Sequence, residues 1–251
     1  YVAAFSETDK YAKIIATYAD IDNYPIYLHC MGGADRTGTV AVIVEALAGA
    51  DEAELSIDYE LTGFSSVGAR PRNSTSYKYK QLIEGLKAYD GATLQEKTEN
   101  YCVKTLGLSR AQVSNVQSLM GGNKVVFDDV NPIEVKDNTV ITLKNLGENT
   151  VKTVRFKGEE IPFEMNGNTI TIDIETLGLG EIEFADGNIL KFEANSILSI
   201  SFDDISNGQA NSFVTKDLEL PESYVWTSSN PEIVSEAGVV TRPEFKDTQV
   251  E

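Results

Sequence analysis

The distribution of apolar positions divides the chain into a helical stretch and a strand-rich one. In residues 8–19, TDKYAKIIATYA, Tyr11, Ile14, Ile15 and Tyr18 recur at the i, i+3, i+4, i+7 spacing of one helix face. Ser6 or Thr8 is available to cap that helix. Asp22-Asn23 then turns the chain, and Pro25-Ile26-Tyr27-Leu28 reads as a short buried strand. A Gly-containing loop at 31–35 leads into a second helical pattern, which starts at Thr37 and stops near Gly49. Four further stretches read as helical. Residues 51–64 open with acids suited to a helix N-terminus. Residues 74–89 place Tyr79, Leu82, Ile83 and Leu86 on one face. Residues 93–106 and 109–120 form a pair joined at Gly107.

Met120-Gly121-Gly122-Asn123 is the clearest break. Beyond it the period changes: TVITLKNL, VKTVRFK, TITIDI and ILSISF alternate or run β-branched, and Asn166-Gly167 and Asp186-Gly187 are hairpin-turn dipeptides. The expected architecture is α/β over residues 1–122, followed by all-β sandwich modules at 123–196 and 197–251.

Composition narrows the function. Hydrophobic residues at 41% and charged residues at 24% describe an ordinary folded chain. No apolar run approaches the roughly 18 residues of a membrane span. Net charge is −18, from 21 basic and 39 acidic residues. Residues 1–122 hold 11 basic and 15 acidic residues, and 123–251 hold 10 and 24. A surface this acidic repels phosphate backbones and anionic headgroups, which argues against nucleic acid and anionic lipid as partners. Two cysteines, Cys30 and Cys102, make no disulfide framework. The single histidine, His29, leaves too few ligands for a His/Cys zinc cluster, so neither metal nor cofactor is expected.

The candidate chemistry lies at 29–38, His-Cys-Met-Gly-Gly-Ala-Asp-Arg-Thr-Gly. A thiol with pKa of about 8.5 is mostly protonated at neutral pH, so a nucleophilic Cys30 needs a site that favours the thiolate. A loop closing onto a helix N-terminus supplies inward N–H groups that do this and that cradle phosphate oxygens. Gly32 and Gly33 permit the bend. Arg36, six residues after Cys30, offers a planar fork for two phosphoryl oxygens, and Thr37 can donate its hydroxyl to the sulfur.

This segment fits H-C-x5-R-[ST]-G and resembles the phosphate-binding loop of cysteine-dependent tyrosine phosphatases. Asp-Arg-Thr-Gly, together with Asp58-Tyr59-Glu60-Leu61-Thr62, looks like the bacterial, atypical tyrosine phosphatase family. That resemblance covers about residues 1–121. It implies a phosphocysteine mechanism on a phosphorylated protein or small phosphomonoester, with phosphate held by Met31, Gly32, Gly33, Ala34, Asp35 and Arg36. It also implies that His29 braces the loop through hydrogen bonds. Ala34 stands where the family has a Lys linked to inositol headgroups, which counts against a phosphoinositide substrate. Asp35 is either the general acid or a loop-bracing carboxylate. The family's fold places several strands and helices before the loop, whereas 29 residues precede Cys30, so the unit is expected to be incomplete at its N-terminus. Asp9, Asp20 and Asp22 are explained by caps and turns.

Other features have plainer readings. Cys102 is a small core residue, or less readily a redox partner of Cys30. Arg70 and Arg72 sit in a solvated loop or hold an anionic substrate. Residues 224–243, YVWTSSNPEIVSEAGVVTRP, resemble the shortened bacterial Ig-like module, cut short at Glu251, with Tyr224 and Trp226 in its core. Ig-like modules with few cysteines suggest a bacterial protein exported to the cell surface or beyond. A surface adhesion or scaffold protein with a degenerate phosphatase unit is the competing reading.

Overall fold

The computed structural model describes residues 2–64, 68–74 and 78–195, and beyond them 206, 207, 209, 216–220, 233–235 and 237–241. The chain divides into two compact units, Tyr1–Ile197 and Leu198–Glu251.

The first unit opens with six helices: α1 (Thr8–Tyr18), α2 (Arg36–Leu47), α3 (Glu52–Leu61), α4 (Tyr79–Lys87), α5 (Leu94–Lys104) and α6 (Arg110–Met120). Three begin with a reciprocal capping box in which an Asp, Thr or Ser accepts from the third residue's N–H and that residue's side chain answers: Asp51 with Glu54, Thr93 with Glu96, and Ser109 with Gln112. α1 differs from expectation, since Glu7 stands at the cap position and makes no side-chain capping bond. The predicted face of α4 is the buried one: Tyr79, Leu82, Ile83 and Leu86 all point into the core.

α2 is the centre of this body. Eight of its twelve residues are buried, among them Val40, Val42, Ile43 and Leu47, so it is apolar on every side but one. That side carries Glu45. Half-burial, and after it the charge of Asp58, push the Glu45 carboxyl up to about 7.

The strand expected at 25–28 is not formed. Residues 24–30 alternate as a strand does, with Ile26 and Leu28 turned inward and Tyr27 and His29 outward. Among the described residues no neighbouring strand offers a ladder, and the described part of 2–125 contains no strand at all. The described part of the opening region is thus built from helices and extended segments. Local alternation cannot make a strand without a hydrogen-bonding partner.

After α6 the chain forms two sheets. One has the order β1-β3-β7-β6, from Val126–Phe127, Thr139–Lys144, Thr169–Ile172 and Glu164–Asn166. The other has the order β2-β9-β8-β4-β5, from Ile133–Glu134, Ile189–Asn195, Gly178–Phe184, Val151–Phe156 and Glu159–Glu160. β2 runs parallel to β9, and the other pairs are antiparallel. The dipeptides Asn166-Gly167 and Asp186-Gly187 make the β6–β7 and β8–β9 turns, with both glycines at positive φ. Side chains of both sheets, including Leu143, Ile170, Val154, Phe184 and Phe192, share one apolar core. At Gly180 the Phe192 ring occupies the space of a side chain: a Cβ there would stand 2.1 Å from it. ILSISF lies outside the described residues.

α6 joins the two bodies. Val113 and Val116 face the helical core, whereas Ala111 belongs to the core of the sheets. Asn115 donates to the carbonyls of Ala19 (3.1 Å) and Phe127 (3.0 Å) and accepts from Phe127 N–H (2.8 Å). Ser118 donates to Val125 O at 2.7 Å, and Ser114 accepts from Lys191 N–H at 2.8 Å. Buried Glu99 on α5 pairs with Arg110 and Lys191. Lys144 on β3 ties Asp22 to Asp128, 3.1 Å from each.

In the second unit, Leu218 N–H donates to Gly238 O at 2.8 Å, and Val234 bridges Val240. Gly238 has φ +79, and a Cβ there would stand 2.6 Å from Leu218 O, so glycine alone fits the G-x-V-T segment. Trp226 and Tyr224 lie outside the described residues.

Glu45 makes a stability prediction. The folded state holds its proton more tightly than the unfolded chain, so stability falls as pH rises from about 4.5 through 7. Glu45→Gln should be neutral near pH 4 and stabilise by about 1 kcal/mol above pH 7, after discounting for solvent screening. Urea unfolding at pH 4, 6 and 8 measures this; an equal effect at all three would show that the carboxyl is not strained by its charge.

Candidate active site

α1 ends at Tyr18, and a 3-10 turn at Ile21–Asn23 reverses the chain. Asp20 caps that turn by accepting from Asp22 N–H at 3.0 Å, and Asp22 pairs with Lys144, so both acids do turn and tie chemistry. Asp9 lies in the first turn of α1. The extended segment then delivers Cys30 to the start of the loop, with Leu28 packed against the helical core.

Residues 31–35 bend back so that α2 begins at Arg36. Gly33 makes the bend at φ +74, where a side chain would be strained. Ala34 is fully buried, so the position at which the resembling family has a Lys here fills space beneath the loop. The Asp35 carbonyl accepts from both the N–H and the hydroxyl of Thr39, each at 2.8 Å, which closes the first turn of α2.

The bend converges on one sulfur. Burial alone would push the Cys30 thiol up. The Thr37 hydroxyl and the backbone N–H groups of Thr37, Gly33 and Gly32 outweigh it and bring the thiol down to about 7. The Thr37 hydroxyl is buried and makes no other hydrogen bond among the described residues, which leaves it available to the sulfur whose thiol it helps to lower. Cys102 is the opposite case: burial and then the charge of Glu99 push its thiol far up, and both cysteines are free.

The remaining candidates are placed as follows. Arg36 is exposed at the head of α2 and makes no ion pair with a described carboxylate. Its charge reaches the Tyr11 phenol, which burial raises and which Thr39 and Arg36 pull back. His29 departs from the bracing role the resemblance implies. It is exposed, stacks on Tyr27 at 5.4 Å between ring centres, and makes no hydrogen bond to the loop among the described residues. Met31 is 97% exposed, so its backbone alone can contribute to the loop. The Asp35 carboxylate accepts from Arg70 at 3.1 Å. Arg72 forks onto Glu60, at 2.9 and 2.7 Å. Arg70 is thus buried rather than the solvated loop residue that GARPRNS suggests, whereas Arg72 stays part-exposed on Glu60, and the Arg70–Asp35 contact spans 35 residues with no local pattern to signal it.

Comparison with known proteins bears on the two ends of the chain. Residues 1–120 match the model of the tyrosine phosphatase family, and residues 193–251 match that of the atrophied bacterial Ig domain. Both agree with the resemblances carried by the loop motif and by the WTSSNP segment. None of the curated proteins compared matches the chain. Two crystal structures of a tri-modular GH5 (subfamily 4) endo-β-1,4-glucanase from Bacillus licheniformis, one complexed with cellotetraose, match at 11% identity over 34% of this chain, with TM-score 0.27. The chain spans 20% of that enzyme's length, and a likeness this slight carries no argument.

The sulfur makes its own prediction. Alkylation of Cys30 by iodoacetamide, read by peptide mass spectrometry, should follow a titration midpoint of about 7, with Cys102 unmodified in the folded chain. Thr37→Val should move the midpoint toward about 8.5, the value of a free thiol. An unchanged midpoint in that variant would remove the hydroxyl from the site.

Proposed function

We propose that the chain is a cysteine-dependent phosphatase that hydrolyses phosphomonoesters, of the phosphotyrosine type, through a phosphocysteine intermediate. The observation that carries this reading is the convergence of three backbone N–H groups and the Thr37 hydroxyl on the Cys30 sulfur at the start of α2. Residues 1–122 are the catalytic part in this reading, with a β-module at 123–196 and an Ig-type module at 197–251. An Ig-type end supports a place outside the cell or on its surface, and among the described residues no helix is long and apolar enough to cross a membrane.

The chemistry follows from the groups present. The Cys30 thiolate attacks phosphorus, a phosphorus–sulfur bond forms, and the bond to the leaving oxygen breaks. The phosphoryl oxygens keep their charge throughout, so fixed donors do most of the work: the loop N–H groups, the positive end of α2 and the fork of Arg36. A proton passes to the leaving oxygen. Asp35 is the carboxyl within the loop, and only one of its oxygens is held by Arg70. Water then attacks the phosphocysteine, and the thiolate departs with the Thr37 hydroxyl donating to the sulfur. His29 is not required as a base for a thiolate already formed.

On para-nitrophenyl phosphate the chain should turn over, and Cys30→Ser should abolish turnover while vanadate still binds. Arg36→Lys should cost nearly as much, because a point charge cannot replace a fork. Turnover by Cys30→Ser at near the parent rate would sink the thiolate mechanism.

Asp35 is tested by leaving group. If it supplies the proton, Asp35→Asn should slow alkyl phosphates far more than aryl esters of acidic phenols, and should erase the basic limb of the pH–rate profile. Equal losses on both, with the basic limb intact, would leave Asp35 with no part in proton transfer.

A further inference from the structure

The segment after α3 sends a residue to the loop that neither the motif nor its spacing assigns. Arg70 is 9% exposed, and its guanidinium donates to Asp35 Oδ1 at 3.1 Å. A cation taken this far out of water differs from the ion pairs of a surface, which contribute little: it must be partnered. The segment carrying it is itself fixed. Two residues on, Arg72 donates to Glu60 on α3 from its backbone N–H as well as from both ends of its fork. At Gly63 a Cβ would stand 3.3 Å from the Ala69 Cα and 3.4 Å from the Arg70 nitrogen, so the 3-10 turn that follows α3 and this segment lie backbone against backbone.

Asp35 occupies the position where an aspartate ordinarily caps a helix by accepting from an N–H of the first turn. Here the backbone is at φ −92, ψ −80, and no such bond is made. The carboxylate goes to Arg70 instead, while the carbonyl of the same residue receives Thr39 twice. Asp35 is thus held at both backbone and side chain. The other shoulder of the loop is held differently, by Leu28 against the helical core and the Tyr24 hydroxyl on Tyr18 O at 2.9 Å: residues 24–30 have no strand partner among the described residues, and Tyr27, His29 and Met31 are exposed.

We propose that Arg70 is a positioning residue: by holding Asp35 it fixes the bend of residues 31–36 and thereby aims the loop N–H groups at Cys30. The proposal rests on the reading of Cys30 as the nucleophile, and Arg70 acts through Asp35 rather than on substrate.

Alkylation of Cys30 against pH, in the full chain, separates positioning from a plain charge effect. On charge alone, Asp35→Ala removes a negative neighbour and lowers the midpoint, and Arg70→Lys leaves it where it was. Positioning predicts that both raise it by about one unit, which at pH 7 is about fivefold slower alkylation. Arg70→Gln should raise it at least as far, and adding Asp35→Ala to Arg70→Gln should raise it no further. Far-UV circular dichroism establishes that each variant is folded. If Arg70→Gln does not fold, Asp35→Ala and Arg70→Lys still decide. A folded Asp35→Ala with an unchanged or lower midpoint overturns the proposal. A parent chain whose Cys30 titrates as an ordinary thiol overturns the nucleophile reading first, and this inference with it.

Discussion

A thiol brought down to about 7, in a chain already holding a surplus of eighteen negative charges, is the constraint from which the first unit is best understood. The surplus does little harm at a distance, because salt screens exposed charges beyond about 8–10 Å. The answer therefore has to be local, and it is mostly uncharged: peptide N–H groups of Gly32, Gly33 and Thr37, and one hydroxyl. Peptide groups point where the backbone points, so the chemistry becomes a demand on curvature. Gly33 at φ +74 makes the bend, buried Ala34 seats it, and Asp35 ends it. α2 is buried on nearly all sides, and α1, α3, α5 and α6 all pack on it.

The same logic explains why the helical body and the sheets do not come apart at their junction. α6 presents apolar side chains to one core and a row of short polar ones, Ser114, Asn115 and Ser118, to the neighbouring backbone. Buried polar groups cost stability only when unpaired, and these are paired. Glu99, Arg110 and Lys191 add an ionic tie across α5, α6 and β9.

Much of this was legible in the order of residues, wherever the determinant is local. The helix starts at Asp51, Thr93 and Ser109, the face of α4 and the turns at Asn166-Gly167 and Asp186-Gly187 each depend on residues a few positions apart. The loop at 29–38 was legible for the same reason: the donors, the bend and Cys30 sit within ten residues. What the sequence concealed depends on partners far along the chain. Residues 25–28 carry a strand's alternation, but pairing is a property of two segments. Arg70 and Arg72 look alike in GARPRNS, yet one is buried on the loop and the other is forked onto α3, a difference set by how the segment crosses Gly63. The raised Glu45 comes first from its half-burial on α2 and then from the charge of Asp58 on the next helix, and the apolar run around it gave no hint of that neighbour.

The three hydrogen bonds of Asn115 all go to main-chain atoms, those of Ala19 and Phe127. Main-chain atoms are the same whatever residue bears them. The joint between helices and sheets therefore asks for one amide at position 115 and makes no hydrogen-bonding demand on the side chains at 19 and 127. Over many generations those two positions are free to drift within the limits of packing while the joint persists. A change at 115 would strand two carbonyls and an N–H at once, so among the short polar side chains of α6 the mutational burden is heaviest there.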